Sequence, residues 1–378
     1  MQVRLLIGLA PIAVAAAVAA GSASAASNVV GHVYVNDNTA GVNTIAGFDR
    51  HADGTLTPLP GSPFPAGGAG TGAGIGSQGA LQITSDGKYL LAVDAGSNQV
   101  SVLRIGPDGG LNAVGGGPAS SGGIEPVSIA VHDDLVYVAN AGDGGSNYAG
   151  FTLNPGGHLR PLAGSTVSLP DGSTPGDVLF NGDGTKLIGT RVGTSLIDSF
   201  TVGDDGRLTP AAGSPFAAQG AGPFGSEFRP TDPTELYVSN AHGGTGNGTV
   251  SAFDDGNGGA LTSIGSSPFA DLQTAPCWVE ITKDGEFLFT VDTASNTISR
   301  FAIGSDGSLS LLGSTPLSTA HAGAEDARLG PGGQTLWVVD TGARAVSAFA
   351  VDGGSLSELS SSPTALPAGS APFGIVVT

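Results

Sequence analysis

Leu236–Gly243 reads LYVSNAHG. Close variants stand at Val136–Gly144, VYVANAGDG, and at Leu336–Arg344, LWVVDTGAR. Aligned on the polar residue that ends the apolar run, the phrase recurs at Asp37, Asp94, Asn140, Arg191, Asn240, Asp292 and Asp340, a period of about 50 residues. A second phrase, like TVSAFDD, ends its apolar run on Phe48, Leu103, Phe151, Phe200, Phe253, Phe301 and Phe349. A leucine follows the next turn, at Leu56, Leu111, Leu159, Leu208, Leu261, Leu309 and Leu356. Units repeating at this period are supersecondary modules that bury their apolar faces only against neighbours.

Each unit holds four short runs of β character. In the sixth, PCWVEIT leads through Asp284-Gly285 to FLFTVD, then TISRFAI, then SLSLLG. Val, Ile, Phe and Thr fill the runs, and Gly, Asp, Asn and Pro fill the gaps. Asp-Gly between such runs is a hairpin signal. The prediction is an all-β, seven-bladed propeller of four-stranded antiparallel blades, with the first run of each unit innermost. The first unit lacks that run, and the C-terminal APFGIVVT matches it. Phe373–Thr378 is therefore expected to supply the inner strand of the first blade and remove two open edges.

Arg4, the apolar run Leu5–Ala20 and Ala23-Ser24-Ala25 read as a secretory signal peptide over residues 1–25, leaving 26–378 as one propeller domain. The apolar run is shorter than the roughly 18 residues of a spanning helix. No later stretch is apolar enough to cross a bilayer, and the expected location is extracellular, with association to the cell envelope as an option. The 13 Lys and Arg against 32 Asp and Glu give a net charge of −19, which repels phosphate backbones and argues against nucleic acid. Cys277 is the only cysteine, so no intrachain disulfide forms; beside Trp278 it reads as a small buried hydrophobe.

The YVxN, VSxF and Asp-Gly-x-Leu phrases resemble those of the seven-bladed lactonase-like propellers, which include the propeller-type 6-phosphogluconolactonase and its YVTN-repeat relatives. The resemblance covers nearly the whole mature chain and implies the fold and a lactonase activity. It also implies a Gly-Pro-Arg-His segment at the start of one inner run. Here that segment is Gly222-Pro223-Phe224-Gly225, and the Asn-Glu expected on the next run is Asn240-Ala241. A lactonase of this sequence would need a rearranged site.

Gly74-x-Gly76-x-x-Gly79 matches a dinucleotide fingerprint but precedes a strand, so it reads as a flexible loop between blades. The histidines show no zinc-ligand spacing. Alternate residues of a strand share a face, and the inner runs align into two columns on one face. One is Gln82, Ala130, Leu179, Glu227, Glu280, Arg328 and Val376; the other is Ala80, Ser128, Asp177, Gly225, Trp278, Asp326 and Gly374. The polar members gather in the fourth to seventh blades. Glu227, Glu280 and Arg328 are the candidate catalytic residues. Asp177, Arg191, Trp278, Asp326 and His242 are the candidate ligand-binding residues, with Arg191 as an entrance guard. The reading is a monomeric extracellular binding module for a small polar ligand or an extracellular protein; the alternative is a lactone hydrolase. No cofactor is expected, with a divalent cation such as calcium the one candidate for the channel.

Overall fold

The repeats of the sequence become seven antiparallel sheets in a computed structural model that describes residues 28–256, 258–319 and 323–378. The signal-peptide reading lies outside the described residues. We label the strands of each blade A to D from the channel outward. The A strands are Ile375–Val377, Leu81–Ile83, Pro126–His132, Pro175–Phe180, Pro223–Arg229, Pro276–Ile281 and Ala324–Leu329 for blades one to seven. Each packs on the A strands of its two neighbours, and the ring closes through blades seven, one and two.

Closure is covalently asymmetric. Val33, Tyr34 and Val35 of the first B strand, Val29–Asn36, pair with Val377, Val376 and Ile375. Phe373 donates its amide to Asn36 O at 2.9 Å, and Thr378 donates to His32 O at 2.9 Å. Phe373 and Ile375 are fully buried. The last residues of the chain thus complete the blade that its first strand begins.

The recurring phrase is structural, and both of its polar ends have a partner. Tyr34, Tyr137 and Tyr237 donate their hydroxyls to Gly109 O, Gly206 O and Gly307 O, each in the C–D turn of the next blade. The terminal Asn or Asp ties the end of strand B to strand C. Asp94 accepts from Ser101, Asn140 donates to Asn147, and Asp292 accepts from Ser299. These residues are buried, so each bond satisfies a group that would otherwise cost about 1–3 kcal/mol.

Sequence led us to expect four strands per blade; blade six has them, and in the other six the outer strand is divided. In blade one, Leu56–Pro58 and Phe64–Pro65 both pair with the C strand Thr44–His51. The recurrent Ser-Pro lies at the break. Ser62, Ser214 and Ser267 accept, through Oγ, the C-strand amides of Gly47, Ser199 and Ala252. The hydroxyl replaces a ladder carbonyl where the outer strand bulges away.

Candidate functional site

The A strands converge, so residues distant in sequence meet in the channel. Strand register carries the two columns: Glu227, Glu280 and Arg328 lie opposite Tyr237, Phe289 and Trp337 on the respective B strands. Radial equivalence then brings these three side chains together. Arg328 Nη1 lies 3.0 Å from Glu280 Oε1. Glu280 Oε2 accepts the Leu329 amide at 2.8 Å, so both carboxylate oxygens of Glu280 are engaged across the blade interface. Glu227 is half-buried. Among the described residues its side chain has no hydrogen-bond or ion-pair partner, which leaves its carboxylate open to water or ligand.

Electrostatics follow from one cation among four carboxylates. Burial, then repulsion from Glu280, pushes Glu227 well above the ordinary carboxylate range, with Arg328 opposing. Burial also raises Glu280 against the pull of Arg328. Burial works against the charge of Arg328, yet Glu280, Asp326, Glu227 and Asp177 together push its pKa above the usual value. Arg328 is therefore a permanent cation, and Glu227 is a carboxylate with enhanced basicity.

Asp177 and Asp326 lie one step further along the same face. Asp177 is wholly buried and accepts from Ser128 Oγ at 3.2 Å, Ser226 N at 3.0 Å and Ser226 Oγ at 2.6 Å. It staples blades three, four and five. Burial still raises it to about 7. Asp326 is also wholly buried, and neither of its oxygens has a well-formed hydrogen bond. Burial raises it to about 7, with Arg328 opposing.

Trp278 fills the channel beside these groups. Its ring lies 5.4 Å from that of Phe224 and 6.5 Å from that of Phe373, and among the described residues its buried Nε1 has no hydrogen-bond partner. Cys277 is buried, and burial pushes its thiol up to about 12, as befits a packing residue.

Two candidates lie elsewhere. Arg191 lies opposite Pro175 at the start of the A strand of blade four, and its guanidinium is committed to strand C. Its guanidinium grips Asp198 through two bonds of 2.5 Å, and Tyr148 donates to the same carboxylate at 3.0 Å. It fills the B-to-C tie of blade four that Asn or Asp fills in other blades, with the charge pattern inverted. His242 is exposed on the B–C loop of blade five. Among the described residues no bond joins it to the channel carboxylates. Among the described residues no group of three or more His, Cys, Asp or Glu is disposed to hold a metal ion.

Gln78 is the channel residue that sequence reading missed. It is buried, and it belongs to the glycine-rich stretch read above as a flexible loop. The stretch instead crosses the upper end of the channel. Gln78 donates its amide to Gly176 O of blade four and its Nε2 to Ser226 O of blade five, and its Oε1 accepts the Val279 amide of blade six. Gly79 O accepts the Ile129 amide of blade three. One signal was legible. In the alignment of inner runs Gln78 occupies the position of Pro126, Pro175, Pro223, Pro276 and Pro372. It restores an N–H donor where those units have none.

Among the described residues no helix is long and apolar enough to cross a membrane. No curated protein matches the chain in sequence. Solved structures share its fold. A candidate 6-phosphogluconolactonase of Bacteroides uniformis superposes with a TM-score of 0.73 at 19% identity, covering 91% of this chain and 98% of that one. A similar candidate from Bacteroides fragilis gives 0.73 at 20% identity, over 91% and 97%. The periplasmic gluconolactonase of Pseudomonas aeruginosa gives 0.72 at 18% identity, over 92% and 98%. At these identities the likeness is one of fold. The sequence signature of the lactonases with a seven-bladed β-propeller matches residues 187–376, half of the chain. With that signature, the closed ring and the repeated phrases in agreement, the chain belongs to the seven-bladed β-propeller lactonase family.

Proposed function

We propose that the protein is a lactone hydrolase, a carboxylic ester hydrolase for cyclic esters that carry no phosphate, acting where Glu227, Glu280 and Arg328 meet. The observation that carries this reading is the Glu280–Arg328 pair, with its 3.0 Å contact, beside an unpartnered Glu227. Family membership favours it over the non-enzymatic binding module considered from sequence. The fold alone hosts many functions, so the argument rests on the site.

Ester hydrolysis needs a base for water and a positive group for the developing oxyanion. Glu227 takes a proton from water as the water oxygen bonds to the lactone carbonyl carbon. The carbonyl oxygen becomes an oxyanion beside the Arg328 guanidinium. Collapse re-forms the carbonyl and breaks the ring C–O bond. The departing alkoxide takes the proton from Glu227, and the carboxylate is restored. Glu280 aims Arg328, held by the Leu329 amide. The product is a hydroxy acid, and its new carboxylate is repelled by Glu280 and Asp326, which assists release.

The same charges set the substrate class. A phosphate group would enter a channel with one arginine and four carboxylates, without the bidentate Arg or Lys contacts that recognise it. The name of the Pseudomonas aeruginosa relative, a periplasmic gluconolactonase, supports an uncharged sugar lactone. Export by the leader would place the enzyme where such unphosphorylated lactones occur.

The test is acid release from a panel of neutral γ- and δ-lactones, with a phosphorylated sugar lactone for comparison. We expect turnover of a neutral member, and a fall of about 10²–10⁴ in kcat for Glu227→Gln. No turnover above the uncatalysed rate, or a fully active Glu227→Gln, overturns the assignment.

A further inference from the structure

We propose that Gln78 is a positioning residue: its carboxamide, strapped across the upper end of the channel, sets the separation of Glu227 and Glu280. The proposal rests on the lactonase reading for its catalytic consequence, but its geometric part stands alone. Nε2 donates to Ser226 O at 2.8 Å, and Ser226 is the residue before Glu227. Oε1 accepts the Val279 amide at 3.0 Å, and Val279 is the residue before Glu280. One planar amide therefore joins the two strands that carry the carboxylates, at the position adjoining each. Its own backbone is anchored to a third strand through Gly176 O at 2.9 Å.

The surroundings are shaped to receive it. Gly225 has no side chain where the strap lies. A Cβ there would clash with Gln78 Oε1 and fall 2.5 Å from Cys277 O. Gly79, with φ +82°, turns the chain from the strap into the A strand of blade two, a conformation that glycine adopts without strain. The strap also continues outward over the aromatic collar. Cβ atoms at Gly74 and Gly76 would stand 3.4 Å from Phe373 and 3.7 Å from Phe224, so the glycines ride close above both rings. The B-strand tyrosines also join neighbouring blades, but at the C–D turns, away from the channel. Ser226 is gripped from its other side by Asp177, so its strand is held between the strap and the staple of blade four.

The consequence is chemical. Two carboxylates held near each other raise one another's proton affinity, and the effect falls with distance. The groups facing Glu227 are Glu280, Arg328, Asp177 and Asp326. All four sit on A strands, so releasing the strap changes the first distance most directly. Gln78→Met keeps the length of the side chain and removes both bonds. With the strap released, the two strands are free to separate, and repulsion between the carboxylates drives them apart. The midpoint of the Glu227 titration, read by NMR on ¹³C-labelled glutamate in the full chain, is expected to move to lower pH. If a lactone is turned over, the acid limb of kcat moves with it, and kcat falls about tenfold while KM changes little.

Tyr34→Phe is the control for stability. It removes another inter-blade bond, the 2.7 Å donation to Gly109 O, far from the channel. It is expected to lower the melting temperature and leave the glutamate midpoints in place. A Gln78→Met protein that titrates like wild type overturns the proposal. Wild type supplies a second measurement should Gln78→Met not fold. The Gln78 side-chain amide protons are expected to exchange slowly with solvent, as a locked donor does, and rapid exchange also overturns it. A wild type that hydrolyses no lactone defeats the lactonase reading but not the titration result, so the two failures are distinguishable.

Discussion

Blades one to three and blades five to seven have the same backbone and opposite channels. At the two inward positions of each A strand, the first three blades present Gly374 and Val376, Ala80 and Gln82, and Ser128 and Ala130. The last three present Gly225 and Glu227, Trp278 and Glu280, and Asp326 and Arg328. Both arcs are built of antiparallel sheets whose A strands line the ring, so that shared architecture does not distinguish them. The columns do. The neutral arc carries the closure of the ring and the strap, and the charged arc carries the groups able to move a proton or hold an oxyanion. Repetition specifies the fold, and the departures from repetition specify the site.

The comparison breaks first at closure. If the neutral arc is scaffold, removing its strand should destroy the whole molecule. Deleting Ala371–Thr378 unburies Phe373 and Ile375, each worth about 1.5–3 kcal/mol, and frees the edge of the first B strand. Against a typical total of roughly 5–15 kcal/mol, with the closing hydrogen bonds also lost, the expected product is unfolded or aggregated. Circular dichroism and size-exclusion chromatography check this, and a soluble product with an unchanged melting profile would show that the ring does not need the strand.

A smaller effect sharpens the charged arc. Asp326 titrates at about 7 in the fold because burial disfavours its charge, against about 3.9 when unfolded. The folded state therefore holds its proton more tightly. That contribution to stability is fully present below about pH 4 and is lost as pH rises through about 7. Asp326→Asn keeps the shape and removes the buried charge, while Glu280 still pairs with Arg328. At pH 8 the variant should be more stable by about 1–3 kcal/mol, since an uncompensated buried charge has been removed. At pH 4 the two proteins should melt alike. Equal melting temperatures at both pH values would show that Asp326 is not a dehydrated carboxylate in the channel.

Much of this is legible in the sequence, and the reasons are physical. The blade count, the closure by Phe373–Thr378 and the two inward columns follow from periods that short-range sterics and burial impose. The meeting of Glu227, Glu280 and Arg328 follows from radial equivalence. The partner of Arg191 was not read, because its position was compared across repeats alone. Its answering charge, Asp198, stands seven residues on, where Ser101, Asn147 and Ser299 answer Asp94, Asn140 and Asp292. Gln78 was missed because glycine-rich composition signals freedom in the unfolded chain, not what the folded chain does with it. Its three bonds reach blades four, five and six, and no local pattern encodes a contact across a ring.

The smallest expected effect tests which end of the channel matters. The strap Ser77–Gly79 and the rings of Phe224, Trp278 and Phe373 fill the upper end, where the B–C loops lie. Toward the A–B turns Glu227 lines a cavity of about 430 Å³ with Leu179, Phe180, Asp183, Phe228 and Arg229. Substrate is thus expected from the A–B-turn side. His242 stands on the opposite, B–C-loop side, exposed and without a bond to the carboxylates. His242→Ala should change lactone hydrolysis and stability within about 0.5 kcal/mol, the range of surface substitutions away from any special feature. Steady-state kinetics at neutral pH and a thermal melt check it. A substantial loss of kcat/KM with an unchanged melt would move the entrance to the B–C-loop side and require the strap to open during turnover. A null result, set beside a large effect at Glu227, keeps catalysis at the open end of the charged arc.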